Sequence, residues 1–237
     1  MHMSKTCPVK IVMLGAGGTG GYTAPHLYRM AYTIARPVRI IICDGDVVEE
    51  KNLIRQNFAD GDIGFNKASV LARRYGTAFG MDAEYVPFFM DSEEQLQRLL
   101  LPDRNGQLVI LLGCVDNNKT RQICHQVFTQ SGNLIYIDAG NGESTGQVVC
   151  GVRRHGRTQW RPAASLYKEI LEPGDQLPAE MSCADRALSS PQSIAANLMA
   201  ATAIVSILYN LLTAGELLTR HVTFSSRLGN ARAVLGK

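Results

Sequence analysis

The run CDGDVVEEKNLIRQNFADGDIGFNK, residues 43–67, places Asp44 and Asp46, then Asn52, Arg55 and Gln56, and finally Lys67 downstream of a glycine-rich turn, GAGGTG, at residues 15–20. Two carboxylates, an Arg-Gln pair and a lysine in that order can hold a nucleoside triphosphate and stabilise charge as it is cleaved at the α-phosphate. Gly15, Gly17 and Gly20 have the spacing G-x-G-x-x-G between an apolar run and a helical one, with Gly18 inside the turn. Such a turn brings phosphate against backbone amides at a helix amino end. It also serves ligand-free strand-to-helix packing, and it does not separate ATP from NAD.

Asp44 lies a little over twenty residues beyond the glycines, where a carboxylate accepts hydrogen bonds from both ribose hydroxyls in either class of enzyme. The residues beyond Asp44 discriminate. A dinucleotide presents only a pyrophosphate bridge, whereas a triphosphate being cleaved needs cations on its β- and γ-phosphates. Arg55 can grip two phosphate oxygens in a fork, and Lys67 can act as a movable point charge. Taken singly each reads as a solvated surface charge; their place after Asp44 favours a phosphate role. Asp116 and Asn117 follow the run LVILLGCV, at a strand's carboxyl end where open parallel sheets bind ligands. Asp116 can hold Mg²⁺, an ion that takes hard oxygen ligands and few from protein; the alternative is that it caps the helix starting near Lys119.

These residues need a scaffold. KIVMLG, VRIIIC, LVILLGCV, LIYIDAG and GQVVCGV read as strands, with a shorter one at 83–88; helical spacing appears in YTAPHLYRMAYTI and at 67–75, 92–101 and 119–130. Strands alternating with helices predict an α/β fold: a Rossmann-like nucleotide-binding sheet, largely parallel with additional strands, and helices on both faces. We expect one domain over 1–237: a nucleotide-binding core at 7–152, an irregular crossover segment at 153–191, and a long helix with a C-terminal strand at 192–237, VTFSS being an edge strand. In IAANLMAATAIVSILYNLLTAGELL the larger apolar side chains recur at 194, 198, 205, 208 and 212. That predicts a helical stripe against a core or a partner subunit, not a membrane span.

The formal charge of +3 comes from 24 basic and 21 acidic side chains in a mixed distribution. No block of like charge tracks a phosphodiester backbone, so nucleic acid is not an expected partner. Six cysteines without a Cys-x-x-Cys pair, and an N-terminus lacking an apolar signal core, predict a reduced, cytoplasmic setting. Cys124 and His125 have no partners at metal spacing and read as helix packing.

GAGGTG, DGDVVEEKNLIRQ, GFNK and CVDNNKTR, taken as an ordered set, resemble the ThiF/MoeB superfamily, to which the ubiquitin-activating enzymes belong. The similarity runs from about Lys10 to Val152 and continues more weakly through MSCAD and the long helix. IDAGNGESTGQVVCG and the Arg55–Lys67 spacing look closest to the ThiF-like proteins of bacterial PRTRC systems, which accompany ubiquitin-like components. The resemblance implies an ATP-dependent adenylyltransferase that activates the C-terminal carboxylate of a ubiquitin-like or sulfur-carrier protein, commonly as a homodimer. By position it implies a nucleotide loop of Gly15, Gly17, Gly18 and Gly20, ribose on Asp44, phosphates on Asn52, Arg55 and Lys67, and magnesium on Asp116.

Three departures qualify the resemblance. Relatives often carry Asp-x-Thr before the Asp-Asn pair, and here those positions are Gly113 and Val115. Many have two Cys-x-x-Cys pairs for zinc, which this chain lacks, so no zinc is expected. Several supply an arginine from an N-terminal segment of the partner subunit; none precedes Lys10 here, so such an arginine is expected from elsewhere. Cys183, in MSCAD, is either an acyl acceptor or a packed, inert thiol, depending on exposure and thiolate character. Two other functions share these features: an NAD-binding oxidoreductase with the same turn, and a non-catalytic nucleotide-binding subunit of a heterodimeric enzyme, which Gly113 keeps open.

Overall fold

The computed structural model describes residues 1–173 and 192–236. In chain order its elements begin β1 (Val9–Leu14), α1 (Gly18–Thr33), β2 (Val38–Cys43), α2 (Lys67–Phe79), β3 (Glu84–Val86), α3 (Glu93–Leu100) and β4 (Leu108–Gly113). They continue with α4 (Asn118–Gln130), β5 (Leu134–Asn141), β6 (Thr145–Arg154), β7 (Arg157–Trp160), α5 (Ala163–Leu166), α6 (Ile194–Tyr209), β8 (Thr219–Ser225) and β9 (Asn230–Leu235). One sheet runs in the order β3-β2-β1-β4-β5-β6-β8-β9, with β7 also on β6.

The first five strands in that order are mutually parallel, and the pairings from β6 onward are antiparallel. Apolar side chains fill both faces of β1, β2 and β4. One cluster packs them under α1, α2 and α6, and another under α3 and α4. Burial on both faces is why these strands read as continuous apolar runs. Because the chain leaves β1 for β2 on one side and returns to β4 on the other, the crevice at the carboxyl ends of β1 and β4 is a topological switch point.

Three sequence expectations need correction. Within the segment expected to be irregular, the described residues hold β7, α5 and a 3₁₀ turn at Lys168–Leu171. His155 and Gly156, with φ of 49° and 72°, close a two-residue hairpin between Arg154 and Arg157, the double left-handed geometry that suits strand twist. Nor is the VTFSS strand an edge: β8 pairs with β6 and with β9. The edge strand, NARAVL, is exposed along its whole length, so no apolar pattern announced it.

The third correction concerns α6. Of the expected stripe, Leu208 and Leu212 are buried and Val205 packs against the core, but Ile194 and Leu198 are 47% and 43% exposed; the buried side of the first turns is Ala196, Asn197, Ala200 and Ala201. Small side chains win that face because α6 packs on α1, whose buried start is Gly18, Thr19, Gly20 and Gly21. Close backbone approach sets the orientation of the first turns, and the bulky Ile204, Ile207 and Leu208 follow on the same buried side. The run Ile194–Ala214 is long and apolar enough for a membrane span by composition, and 44% of its apolar window is buried inside the protein.

Candidate nucleotide site

At the switch point lies a cleft with about 780 Å³ of empty space, its open mouth included, lined by Gly15, Gly17 and Gly18, by Asp44, Arg55, Gln56 and Lys67, and by Asp116. The glycines divide by task. Gly15 has φ +92°, and a Cβ there would stand 2.5 Å from the Cys114 carbonyl oxygen. A Cβ on Gly20 would overlap the carbonyl oxygen of Gly15, and one on Gly18 the amide of Asn197. Gly20 is thus a packing glycine behind the turn, outside the cleft lining. Gly17, whose nearest neighbour to a Cβ is Gln56 Nε2 at 3.6 Å, faces the open space.

Asp44 ties β2 to this turn. Its Oδ2 accepts from the Ala16 amide at 2.6 Å and its Oδ1 from the Asp46 amide at 2.8 Å. Burial pushes the Asp44 carboxyl up to about 6; nearby Asp46 adds to the rise, and Lys67 and the two amides oppose it. The folded protein therefore binds this proton more tightly than the unfolded chain, and Asp44's contribution to stability is lost as pH rises from about 3.8 through about 6. A ribose held by Asp44 would run the other way, because it needs the unprotonated acceptor. Adenosine affinity is expected to fall as pH drops through about 6, and Asp44→Asn is expected to flatten that dependence. A calorimetric titration between pH 5 and 8 that showed equal profiles for the two proteins would refute it.

The loop from Glu49 to Asn57 delivers Arg55 and Gln56. Asn52, expected on the phosphates, lies behind the cleft: its Oδ1 accepts from the Glu49 amide at 2.9 Å, and its carbonyl accepts from the amides of Arg55 and Gln56. A side chain already capping its own turn shapes the loop from within. Arg55 is half-buried and donates from Nη1 to Gln192 Oε1 at 2.9 Å. Gln56 is buried, and its Oε1 finds no hydrogen-bond partner among the described residues, which is costly unless a ligand supplies the donor. Lys67 opens α2, nearly buried, with Nζ 3.1 Å from Asp46 Oδ2. Asp46, the second carboxylate of the run, is thus the one that holds Lys67.

Across the cleft, Asn117 and not Asp116 caps α4, its side chain accepting from the Thr120 amide. The capping alternative for Asp116 therefore falls, and its carboxylate is exposed on the cleft lining. Among the described residues no group of three or more His, Cys, Asp or Glu side chains could hold a metal; a phosphate-bound Mg²⁺ asks for fewer. Cys43 and Cys114 also line the cleft, but burial pushes both thiols up, Cys114 to about 12, so neither offers a thiolate. Cys124 is buried in the core, as expected, and burial and Lys168 lower the His125 value. Cys183 lies outside the described residues.

Several supporting residues escaped sequence reasoning. Asn66 caps α2 and donates to the carbonyls of Asp44 and Asp46, fixing Lys67 beside both acids. Asn197, wholly buried in α6, accepts from Asn141 and donates toward the Arg55 carbonyl, and Thr19 donates to Asn141. A lone asparagine inside an apolar helix was the available signal.

Solved structures share this fold. E. coli MccB with AMPCPP and MccA superposes with TM-score 0.67 at 16% identity, over 96% of this chain and 63% of MccB. PaaA gives 0.66 at 18% identity, over 98% of this chain and 64% of PaaA. MccB with ATP gives 0.65 at 17% identity, over 96% of this chain and 63% of MccB. The chain thus spans less than two thirds of these proteins. No curated protein matches it significantly in sequence. A ThiF family model matches residues 3–234; with its motifs gathered at the switch-point cleft, the chain belongs to the ThiF family.

Proposed function

We propose that this protein is an ATP-dependent adenylyltransferase acting on the C-terminal carboxylate of a ubiquitin-like or sulfur-carrier protein. The observation that carries the reading is the convergence of the glycine turn, Asp44, Arg55 and Lys67 on one cleft. Arg55 and Lys67 there favour a triphosphate over a dinucleotide, since cleavage moves charge toward the leaving phosphates.

Amides of the turn cradle phosphate at the start of α1, and Asp44 accepts from the ribose. The acceptor carboxylate is already ionised, so no general base is needed. Its oxygen forms a bond to the α-phosphorus, and the bond from that phosphorus to the α,β-bridging oxygen breaks, the electron pair leaving with pyrophosphate. Arg55 and Lys67 stabilise that charge, and positioning supplies the rest. Bound Mg²⁺ would neutralise phosphate oxygens, with Asp116 as its protein ligand. A solved MccB structure holds AMPCPP and MccA together, which supports a nucleotide and a second reactant meeting in this fold.

Exchange of labelled pyrophosphate into ATP is the test. Exchange is expected to depend on a purified small protein ending in Gly-Gly encoded beside this gene; its absence with every such protein would sink the reading.

A further inference from the structure

Gly113 and Asp138 are direct partners across the parallel pair of β4 and β5. A Cβ on Gly113 would stand 2.6 Å from Asp138 Oδ1, so the carboxylate of one strand fills the side-chain space of the other. Asp138 is 2% exposed. Its Oδ1 accepts from the Tyr136 hydroxyl at 2.8 Å, and its Oδ2 lies 3.6 Å from Arg121 Nε, which has no hydrogen-bond partner among the described residues. Burial pushes the Asp138 carboxyl up, and Arg121 and Tyr136 pull it back. Arg121 spends its Nη2 on two backbone carbonyls, Val115 at 2.8 Å and Ala139 at 2.9 Å. Val115 immediately precedes Asp116 on the cleft lining.

A buried ion pair removed from water this completely is poor value for stability alone, since desolvation of both charges offsets their attraction. Its geometry points elsewhere. Arg121 clasps the loop between β4 and α4 to the end of β5, and Asp138 holds Arg121 in place. We infer that Asp138 is a positioning residue that, through Arg121, sets Asp116 for a phosphate-bound divalent cation, and that the carboxylate can be supplied equally from position 113. This role rests on Asp116 being the protein ligand of that cation.

The test compares ATP affinity with Mg²⁺ and with EDTA, using the full chain, and takes the ratio of the two. Asp116→Ala is expected to reduce that ratio at least tenfold; no change there would overturn the Asp116 reading itself. Asp138→Asn keeps the shape and removes the charge. It is expected to lose roughly the same factor while metal-free ATP affinity, set by the glycine turn and Asp44, stays within about threefold. The double variant Gly113→Asp/Asp138→Gly returns the carboxylate from the other strand, with the Tyr136 ring, 3.1 Å from the new Cβ, giving way by a few tenths of an ångström. It is expected to restore the ratio. A purely structural ion pair would lower the melting temperature without moving the ratio, so an unchanged ratio in Asp138→Asn beside a reduced one in Asp116→Ala overturns the inference. Should Asp138→Asn not fold, the double variant decides: a wild-type ratio supports the exchange of positions, and an Asp116→Ala-like ratio or failure to fold overturns it.

Discussion

Replacing Arg55 by alanine is expected to lower pyrophosphate exchange by roughly 10²–10³-fold while leaving AMP affinity within about threefold of wild type. The split reflects where the charge develops. On the proposed reading AMP would touch the glycine turn and Asp44, neither of which depends on the Arg55 side chain: Asp44 is anchored by the amides of Ala16 and Asp46. The leaving pyrophosphate is where negative charge would accumulate, and the half-buried guanidinium lines the same cleft as Lys67. It donates to Gln192 at 2.9 Å, so its rotamer is restrained and little ordering remains to oppose the reaction. Arg55→Lys is expected to recover only part of the rate, because an ammonium cannot bridge two oxygens as a guanidinium does. Equal losses in exchange and AMP affinity would move Arg55 from transition-state stabilisation to general nucleotide binding.

Most of the scaffold and much of this cleft were readable from residues alone, for identifiable reasons. β1, β2 and β4 are buried on both faces, so they appear as unbroken aliphatic runs. Gly15 and Gly20 announce themselves because backbone approach tolerates nothing larger. Residues acting through their backbone environment were harder to place. Asn52 has the composition of a phosphate ligand yet caps its own turn, and Asn117 takes the cap that Asp116 could have claimed one residue earlier. Position 113 is the clearest limit. Its glycine looks like a missing acid until the cross-strand register shows that Asp138 occupies the space, and a register between strands about twenty residues apart leaves no local mark on either. The start of α6 misled for a related reason: alanines that allow close approach to α1 carry less hydrophobic signal than Ile194 and Leu198, which are left outside.

Two neighbouring glycines of α1 separate packing from propensity, and alanine at each is expected to act in opposite directions. At Gly20 the new Cβ would overlap the carbonyl oxygen of Gly15. That obstacle is backbone in a turn already held at φ +92°, so no side chain can swing aside. Overpacking against a fixed group costs about 3 kcal/mol, which for a chain of this size lowers the melting temperature by roughly 6–12 °C. The displaced Gly15 carbonyl also moves the Ala16 amide on which Asp44 depends, so adenosine binding is expected to weaken at least tenfold in the folded fraction. At Gly21 the Cβ would meet Asn57 Cβ at 3.4 Å, an ordinary contact, inside a regular helix. There alanine removes a glycine's entropic cost of about 0.5–1 kcal/mol, raising the melting temperature by about 2 °C with adenosine affinity unchanged. Thermal unfolding of the two variants beside wild type checks both signs; a Gly20→Ala protein as stable as Gly21→Ala would mean that the turn yields where the packing says it cannot.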